Sequence, residues 1–471
     1  MNTIKQIITK ISSLDSKLIL IFCLFYGFVG SVVSVLRYWQ YEVFYYDFGI
    51  FDQAIWQVSR FKSPIVQNLA LGKSIIFADH FSPSIFLYSP LYWFTNRSEI
   101  LLIAQAVTVG LSGLFIYLTA KQLIKDKLVS FSILILYFLF VGLQNAIIFD
   151  FHELTVMTLP LSLVFYFIVK KNIRLFLLSL IVMLGFKETT FLVGIGIAIV
   201  IFFYNKNWRK ISILTLGISL FWGVISIKLL IPHFSHGTYL YSPNIPNSIQ
   251  DKLLSFFNFP EKRRTLLFSF SSFSFMPLLS PSFYALIIQD YATRFMPLNF
   301  VTRWGLTFHY NSLSAVILTL SSAFGFRKLL NFKIIKKLRI VIVLVIILNA
   351  VILNRFVLNG PLNLFYNKTF YNHTKDLKFL DNLVGKIPKN KSITTQNNLA
   401  VRFDHQDVMI LHSNYYDSKP DYILMDLRPG QGANNLYGTS DVEKILKNIN
   451  KDPNYEIFYK TDYQYIFQRK H

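Results

Sequence analysis

Apolar runs close to the thickness of a bilayer recur along this chain, and short clusters of Lys and Arg separate them. Leu18 to Leu36, Glu99 to Ala120, Leu154 to Val169, Thr189 to Tyr204, Phe308 to Phe326 and Ile340 to Leu353 fall near the roughly 20 residues that a helix needs to cross hydrocarbon. With 53% hydrophobic residues, such a chain is a polytopic membrane protein rather than a soluble enzyme. Its net charge of +22 sits mostly in the clusters between runs, where it sets topology and attracts anionic headgroups. That placement argues against nucleic acid as a partner and for membrane lipids. The single cysteine, Cys23, lies inside the first run, which excludes an intramolecular disulfide and a Cys-based metal site.

The basic clusters order the topology. Lys5, Lys10 and Lys17 precede the first run, which is longer than a signal-peptide core and ends in Arg37-Tyr38-Trp39 instead of a small-residue cleavage site. It reads as an uncleaved span with the N-terminus in the cytoplasm. Further clusters follow at Lys121 to Lys127, Lys170 to Arg174, Lys206 to Lys210 and, most strongly, Arg327 to Arg339. Alternation of these clusters predicts roughly eleven spans, with residues from about 356 outside. Between Phe268 and Phe308, Pro277, Pro281 and Pro297 break the apolar pattern, so this stretch forms either two short spans or a re-entrant pair.

This topology sorts the polar residues. Asp47, Asp52, Asp79 and His80, then Asp150, His152 and Glu153, then Lys187 and Glu188, all fall on the external face. Ionisable groups beside hydrocarbon are costly and mark functional candidates. In the first external loop, Phe51, Ile55 and Val58 have helical spacing, so residues 48–58 read as an interfacial helix. Asp47 stands at its start, where a capping carboxylate is the plain alternative; Asp52 falls inside it. The aromatic stretch Ile85 to Phe94 reads as a juxtamembrane helix.

Asp47-Phe-Gly-Ile-Phe-Asp52-Gln-Ala-Ile-Trp56, followed by Asp79-His80-Phe-Ser-Pro83, Asp150-Phe-His152-Glu153 and Lys187-Glu188, resembles the DUF2079 family of membrane proteins, which is related to the GT-C glycosyltransferases. Asp421-Tyr-Ile-Leu-Met-Asp426-Leu extends the resemblance into the tail. The resemblance implies a GT-C architecture and a polyprenyl-phosphate sugar as donor. It gives Asp47 the role of general base, with Asp52 assisting a cation or holding the loop. Lys187, Arg294 or Arg303 would neutralise the lipid phosphate, and Glu188 would fix Lys187. His80, His152 and His309 complete the expected substrate-binding set.

A divalent cation is the one cofactor to consider, and Asp79, Asp150 and Glu153, with His80 and His152 nearby, are its expected ligands. The competing reading is a hydrogen-bond network joining His152 and Glu153 to Asp47 and Lys187. His309 beside Tyr310 is equally an interfacial polar residue.

After Arg355 the composition changes to that of a small soluble α/β domain. The expected arrangement is therefore a GT-C-like all-α membrane domain over residues 1–355, with a long external loop at 37–97, and an extracytoplasmic α/β domain over 356–471. Ser392 to Thr395, Tyr422 to Met425 and Tyr455 to Phe458 read as strands, Asp441 to Asn448 as a helix, and Glu456 to Gln468 as a hairpin around Thr461-Asp462. Gly430-Gln-Gly432 lacks the setting of a nucleotide-binding loop and reads as a turn. Three functions follow: a lipid-linked sugar transferase, a lipid or sugar transporter or flippase, and a non-catalytic membrane scaffold. Carboxylates at one face and the absence of internal repeats favour the transferase over the transporter. Oligomeric state has no signature in the sequence.

Overall fold

The computed structural model describes residues 14–470 except 71, 238, 412–414 and 430–438. Lys5, Lys10 and the expected turn at Gly430 to Gly432 lie outside the described residues. The chain divides into two compact units, one comprising Met1–Ser34, His80–Ile85 and Leu102–Tyr366, the other Val35–Asp79, Phe86–Leu101 and Asn367–His471. The sequence division near residue 355 keeps the first loop with the spans; here the loop segments 35–79 and 86–101 share a unit with the tail.

The chain is mostly helical, and the apolar runs become helices close to the expected limits. These include Leu14–Trp39, Glu99–Ile124, Thr158–Lys170, Phe191–Tyr204, Asn311–Leu329 and Lys333–Ile352. Among the described residues, five helices are long and apolar enough to cross a membrane, or six if a bent pair counts as one span. That is fewer than the roughly eleven expected from charge alternation. Shorter apolar helices such as Ile173–Leu184 account for part of the difference, because the sequence shows a run's composition but not where the helix breaks. The proline-broken stretch forms the helix Pro260–Ser272, single turns at Met276–Leu279 and Pro281–Phe283, and the helix Tyr284–Phe295.

The basic turns also hold the helix caps. Asp126 accepts from the Val129 amide at 3.1 Å to start the helix Lys127–Leu139, and Asn172 accepts from Leu175 at 3.0 Å to start Ile173–Leu184. Lys127–Leu139 and Val141–Ile148 meet at a bend of 52°. The bend releases carbonyls that hydrocarbon cannot solvate, and side chains take them up. Gln144 donates to Phe138 O at 2.9 Å, Tyr26 to the same oxygen at 3.0 Å, and Asn354 to Leu139 O at 2.8 Å.

The second unit contains all seven described strands. β1 (Ile65–Leu69) and β2 (Gly72–Ile75) form an antiparallel hairpin in which Gly72 takes a φ of +81°. β3 (Ile393–Thr395), β4 (Val408–Ile410), β5 (Tyr422–Asp426), β6 (Tyr455–Lys460) and β7 (Gln464–Arg469) form a mixed sheet in the order β4-β3-β5-β7-β6. β3 runs parallel to β4 and β5, while β7 pairs antiparallel with β5 and β6. The helix Thr439–Ile449 lays Val442, Ile445 and Ile449 against Ile423, Met425 and Phe467 of the sheet. β1 lies beside β4, and the Asn68 amide bonds the β4 backbone twice, donating to Val408 O at 3.0 Å and accepting from the Ile410 amide at 2.9 Å.

Close packing in the first unit rests on glycine where the helices Leu14–Trp39 and Glu99–Ile124 meet. A Cβ on Gly110 would collide with the Cys23 carbonyl, whereas one on Gly217 would meet nothing within 4 Å. Gly110→Val should therefore lower stability by about 1–3 kcal/mol, read as a lower melting temperature in detergent, while Gly217→Val leaves it unchanged.

Candidate functional site

Two clusters of polar side chains stand out, one in each unit. The first begins at the segment Asp150-Phe151-His152-Glu153, where the chain leaves one helix and enters the next. Gln105, an amide inside an apolar helix, holds this turn. Its Nε2 lies 3.2–3.4 Å from the carbonyl oxygens of Ala146, Ile147, Phe149 and Asp150, and its Oε1 accepts from the His152 amide at 2.8 Å. Glu153 is thereby presented to two partners. Lys187 Nζ donates to its Oε1 at 2.5 Å, and His152 Nδ1 lies 2.5 Å from its Oε2. The His152 ring stacks on that of His309 at a centroid distance of 3.3 Å.

Glu188 has different partners from its neighbour. Its carboxylate lies 2.9 Å from His80 Nδ1 and accepts from the Phe81 amide at 3.2 Å and the Tyr239 hydroxyl at 3.1 Å. Lys187 is thus fixed by Glu153 across the fold, not by the adjacent Glu188 as expected from the resemblance. The chain starts a short helical turn at Glu188, which turns the two adjacent side chains to different neighbours.

His80, Lys187, Glu188, Arg294 and Arg303 line one cavity of about 410 Å³, whose remaining wall is largely apolar, with Phe191, Ile227, Ile245 and Leu313 among its residues. His152 and His309 do not line it. The two arginines differ in what they have left to offer. Arg294 spends its guanidinium on Arg303 O, Ser314 Oγ and Gly305 O at 2.9–3.0 Å. Arg303 stacks over Phe300 at 3.7 Å, and its Nε, shielded from solvent, has no hydrogen-bond partner among the described residues.

The second cluster grows from the first loop. Tyr45–Gly49 forms a wide helical turn carrying the half-buried Asp47, and the helix Ile50–Ser59 follows, as the apolar spacing requires. Ile85 to Phe94 is helical as expected, but as the tight 3₁₀ segment Pro83–Trp93. Asp52, in the first turn of its helix, is fully buried and faces residues that the sequence reading did not join to it. Its Oδ1 accepts from the Tyr92 hydroxyl, and its Oδ2 lies 2.9 Å from His405 Nε2. Asp404, 3% exposed, accepts from Ser98 at 3.3 Å. Burial and the nearby Asp52 carboxylate push the Asp404 carboxyl well above the usual carboxylate range. Trp56 stacks on the His405 ring at 4.6 Å and 10°.

The expected cation ligands are divided. Asp79 belongs to the second unit and Asp150 and Glu153 to the first, so neither unit gathers all three. Glu153 is already taken by Lys187 and His152. Asp404 and His405 escaped notice, although an Asp-His pair in the tail repeats the Asp79-His80 pair of the loop. Gln105 was legible as a lone amide in an apolar run, since such a group must find a polar partner.

Residues 37–464 match the family described as "Predicted membrane protein (DUF2079)". The chain belongs to the DUF2079 family. Among solved structures, this family member is similar to ArnT from Cupriavidus metallidurans in a crystal structure with bound undecaprenyl phosphate. The TM-score is 0.54 at 10% identity, covering 96% of this chain and 97% of that one, a likeness of fold that agrees with the expected GT-C relation. No curated protein matches the chain.

The Glu153–Lys187 pair is buried on both sides, with side-chain exposures of 0% and 10%. Removing either partner strands a charge, so Lys187→Met and Glu153→Gln should each cost about 3–5 kcal/mol. The double variant should recover much of the loss, which melting of the purified proteins in detergent would reveal.

Proposed function

We propose that this DUF2079 protein is a membrane glycosyltransferase that takes a sugar from a polyprenyl-phosphate donor and delivers it to an acceptor at the extracytoplasmic face. The N-terminus lies in the cytoplasm and the tail outside in this reading. The observation that carries it is the cavity of the first unit, with apolar walls beside Lys187 and the under-used guanidinium of Arg303. Such a cavity suits a ligand that joins an isoprenoid chain to a phosphate. The bound lipid of the structurally similar ArnT supports the same choice.

In this mechanism a general base removes the proton from an acceptor hydroxyl as its oxygen attacks the anomeric carbon of the sugar, the role that the family resemblance gives to Asp47. The bond from that carbon to the phosphate oxygen breaks, and the electron pair leaves with the lipid phosphate. Arg303 stabilises the departing charge, and Lys187, held by Glu153, adds a second positive group to the same wall. Glu188 orients His80 for contact with the sugar or its phosphate.

Transfer from radiolabelled polyprenyl-phosphate sugars in proteoliposomes tests the proposal. Asp47→Asn should lower kcat by about 10²–10⁴-fold, as removal of a general base does. Arg303→Ala should act on the KM for the lipid donor as well as on kcat. Full activity in Asp47→Asn removes the base role. Movement of intact donor across the bilayer without cleavage would establish the flippase reading instead.

A further inference from the structure

We propose that Asp52, Asp404 and His405 form a binding site for a first-row divalent metal ion, Zn²⁺ or Mn²⁺, held by two carboxylate oxygens and one imidazole nitrogen. The proposal does not rest on glycosyl transfer. All three residues belong to the second compact unit, and one donor atom from each lies within 4.8 Å of the others. Two of the spacings are 2.9 Å, from Asp52 Oδ2 to His405 Nε2, and 3.9 Å, from His405 Nε2 to Asp404 Oδ1. They bracket the separation of about 3.0–3.4 Å that metal–ligand bonds near 2.1 Å impose between neighbouring donors.

The donors are also unsatisfied. Asp52 Oδ2, Asp404 Oδ2 and His405 Nε2 are shielded from solvent, and none makes a hydrogen bond among the described residues. Two carboxyl groups at 0% and 3% exposure face one imidazole edge, with no Arg or Lys among the described residues in hydrogen-bonding contact. A cation satisfies all three donors at once. The mixed oxygen and nitrogen set favours Zn²⁺ or Mn²⁺ over Ca²⁺ and Mg²⁺, which prefer oxygen alone.

Surrounding groups hold the donors in place, as outer-sphere partners do at metal centres. Tyr92 binds the other oxygen of Asp52, Ser98 donates to Asp404 Oδ1 at 3.3 Å, and the His405 ring is stacked on Trp56. The Tyr92 ring stands edge-on to the same imidazole at 5.4 Å and 85°. Asp404 and His405 also line a polar cavity of about 410 Å³ with Arg97, Glu99 and Arg402. Three protein ligands leave a coordination position for water or an anionic ligand entering from that side.

The test uses the full-length protein in detergent, stripped with a chelator and then titrated with Zn²⁺ or Mn²⁺ alone. Metal content by mass spectrometry and Mn²⁺ binding by electron paramagnetic resonance should give about one ion per chain. His405→Ala and Asp404→Asn should weaken binding by about 100-fold or more, and Tyr92→Phe, which alters only an outer contact, by about 10-fold. Asp79→Asn should bind as the wild type does. No uptake by the wild type overturns the proposal, as does unchanged binding in folded His405→Ala and Asp404→Asn or lost binding in Asp79→Asn. Should the ligand variants fail to fold, Tyr92→Phe decides, with unchanged affinity counting against the site.

Discussion

Hydrocarbon offers no hydrogen bonds, so a backbone group freed inside a span needs a partner within the protein. Gln105 meets that demand for the turn that carries Asp150, His152 and Glu153, by placing one amide against four carbonyl oxygens and the His152 amide. Gln144, Tyr26 and Asn354 do the same at the bend after Leu139. The Glu153–Lys187 pair applies the rule to charge, since either ion alone would be costly there. The polar side chains are thereby fixed before any ligand arrives, which is the condition for electrostatic preorganisation.

The two units place different chemistry on different supports. In the first, Lys187, Arg294 and Arg303 share a cavity with Glu188 and a largely apolar wall. In the second, two carboxyl groups and an imidazole converge between a loop helix and the segment between β3 and β4. Asp52 is central to that second cluster because its position in the first turn of the helix Ile50–Ser59 directs a buried carboxylate at His405. Asp47 lies in the wide turn just before and is only partly buried.

Much of the helical framework could be read from the sequence because hydrocarbon imposes length and composition together. The helix Glu99–Ile124 begins where the apolar run begins, and Asp126 and Asn172 cap helices within the basic turns. Residues 37–464 bear out the family resemblance carried by the Asp, His and Lys-Glu motifs. The span count was not readable, since Phe140 divides an apolar stretch without any breaker residue and the prolines at 277 and 281 allowed more than one path. In the site, His80, Lys187, Arg294 and Arg303 could be singled out as ionisable groups among apolar runs, and they line one cavity. The partner choices could not be read: Lys187 selects Glu153 across the fold over Glu188 beside it, and Asp52 meets His405. Short β4, with three residues, also left no periodic trace.

Asn68 gives the loop hairpin a further meaning. Its side-chain amide donates to and accepts from the backbone of β4, the outermost strand on that side of the sheet, in the manner of one more peptide group. An open strand edge invites pairing with other chains. A fragment starting at Asn367 would carry the whole five-stranded sheet yet lack Asn68, leaving β4 bare. The first loop is thus an edge guard for the tail, and self-association of such a fragment would report the missing guard instead of a native oligomer.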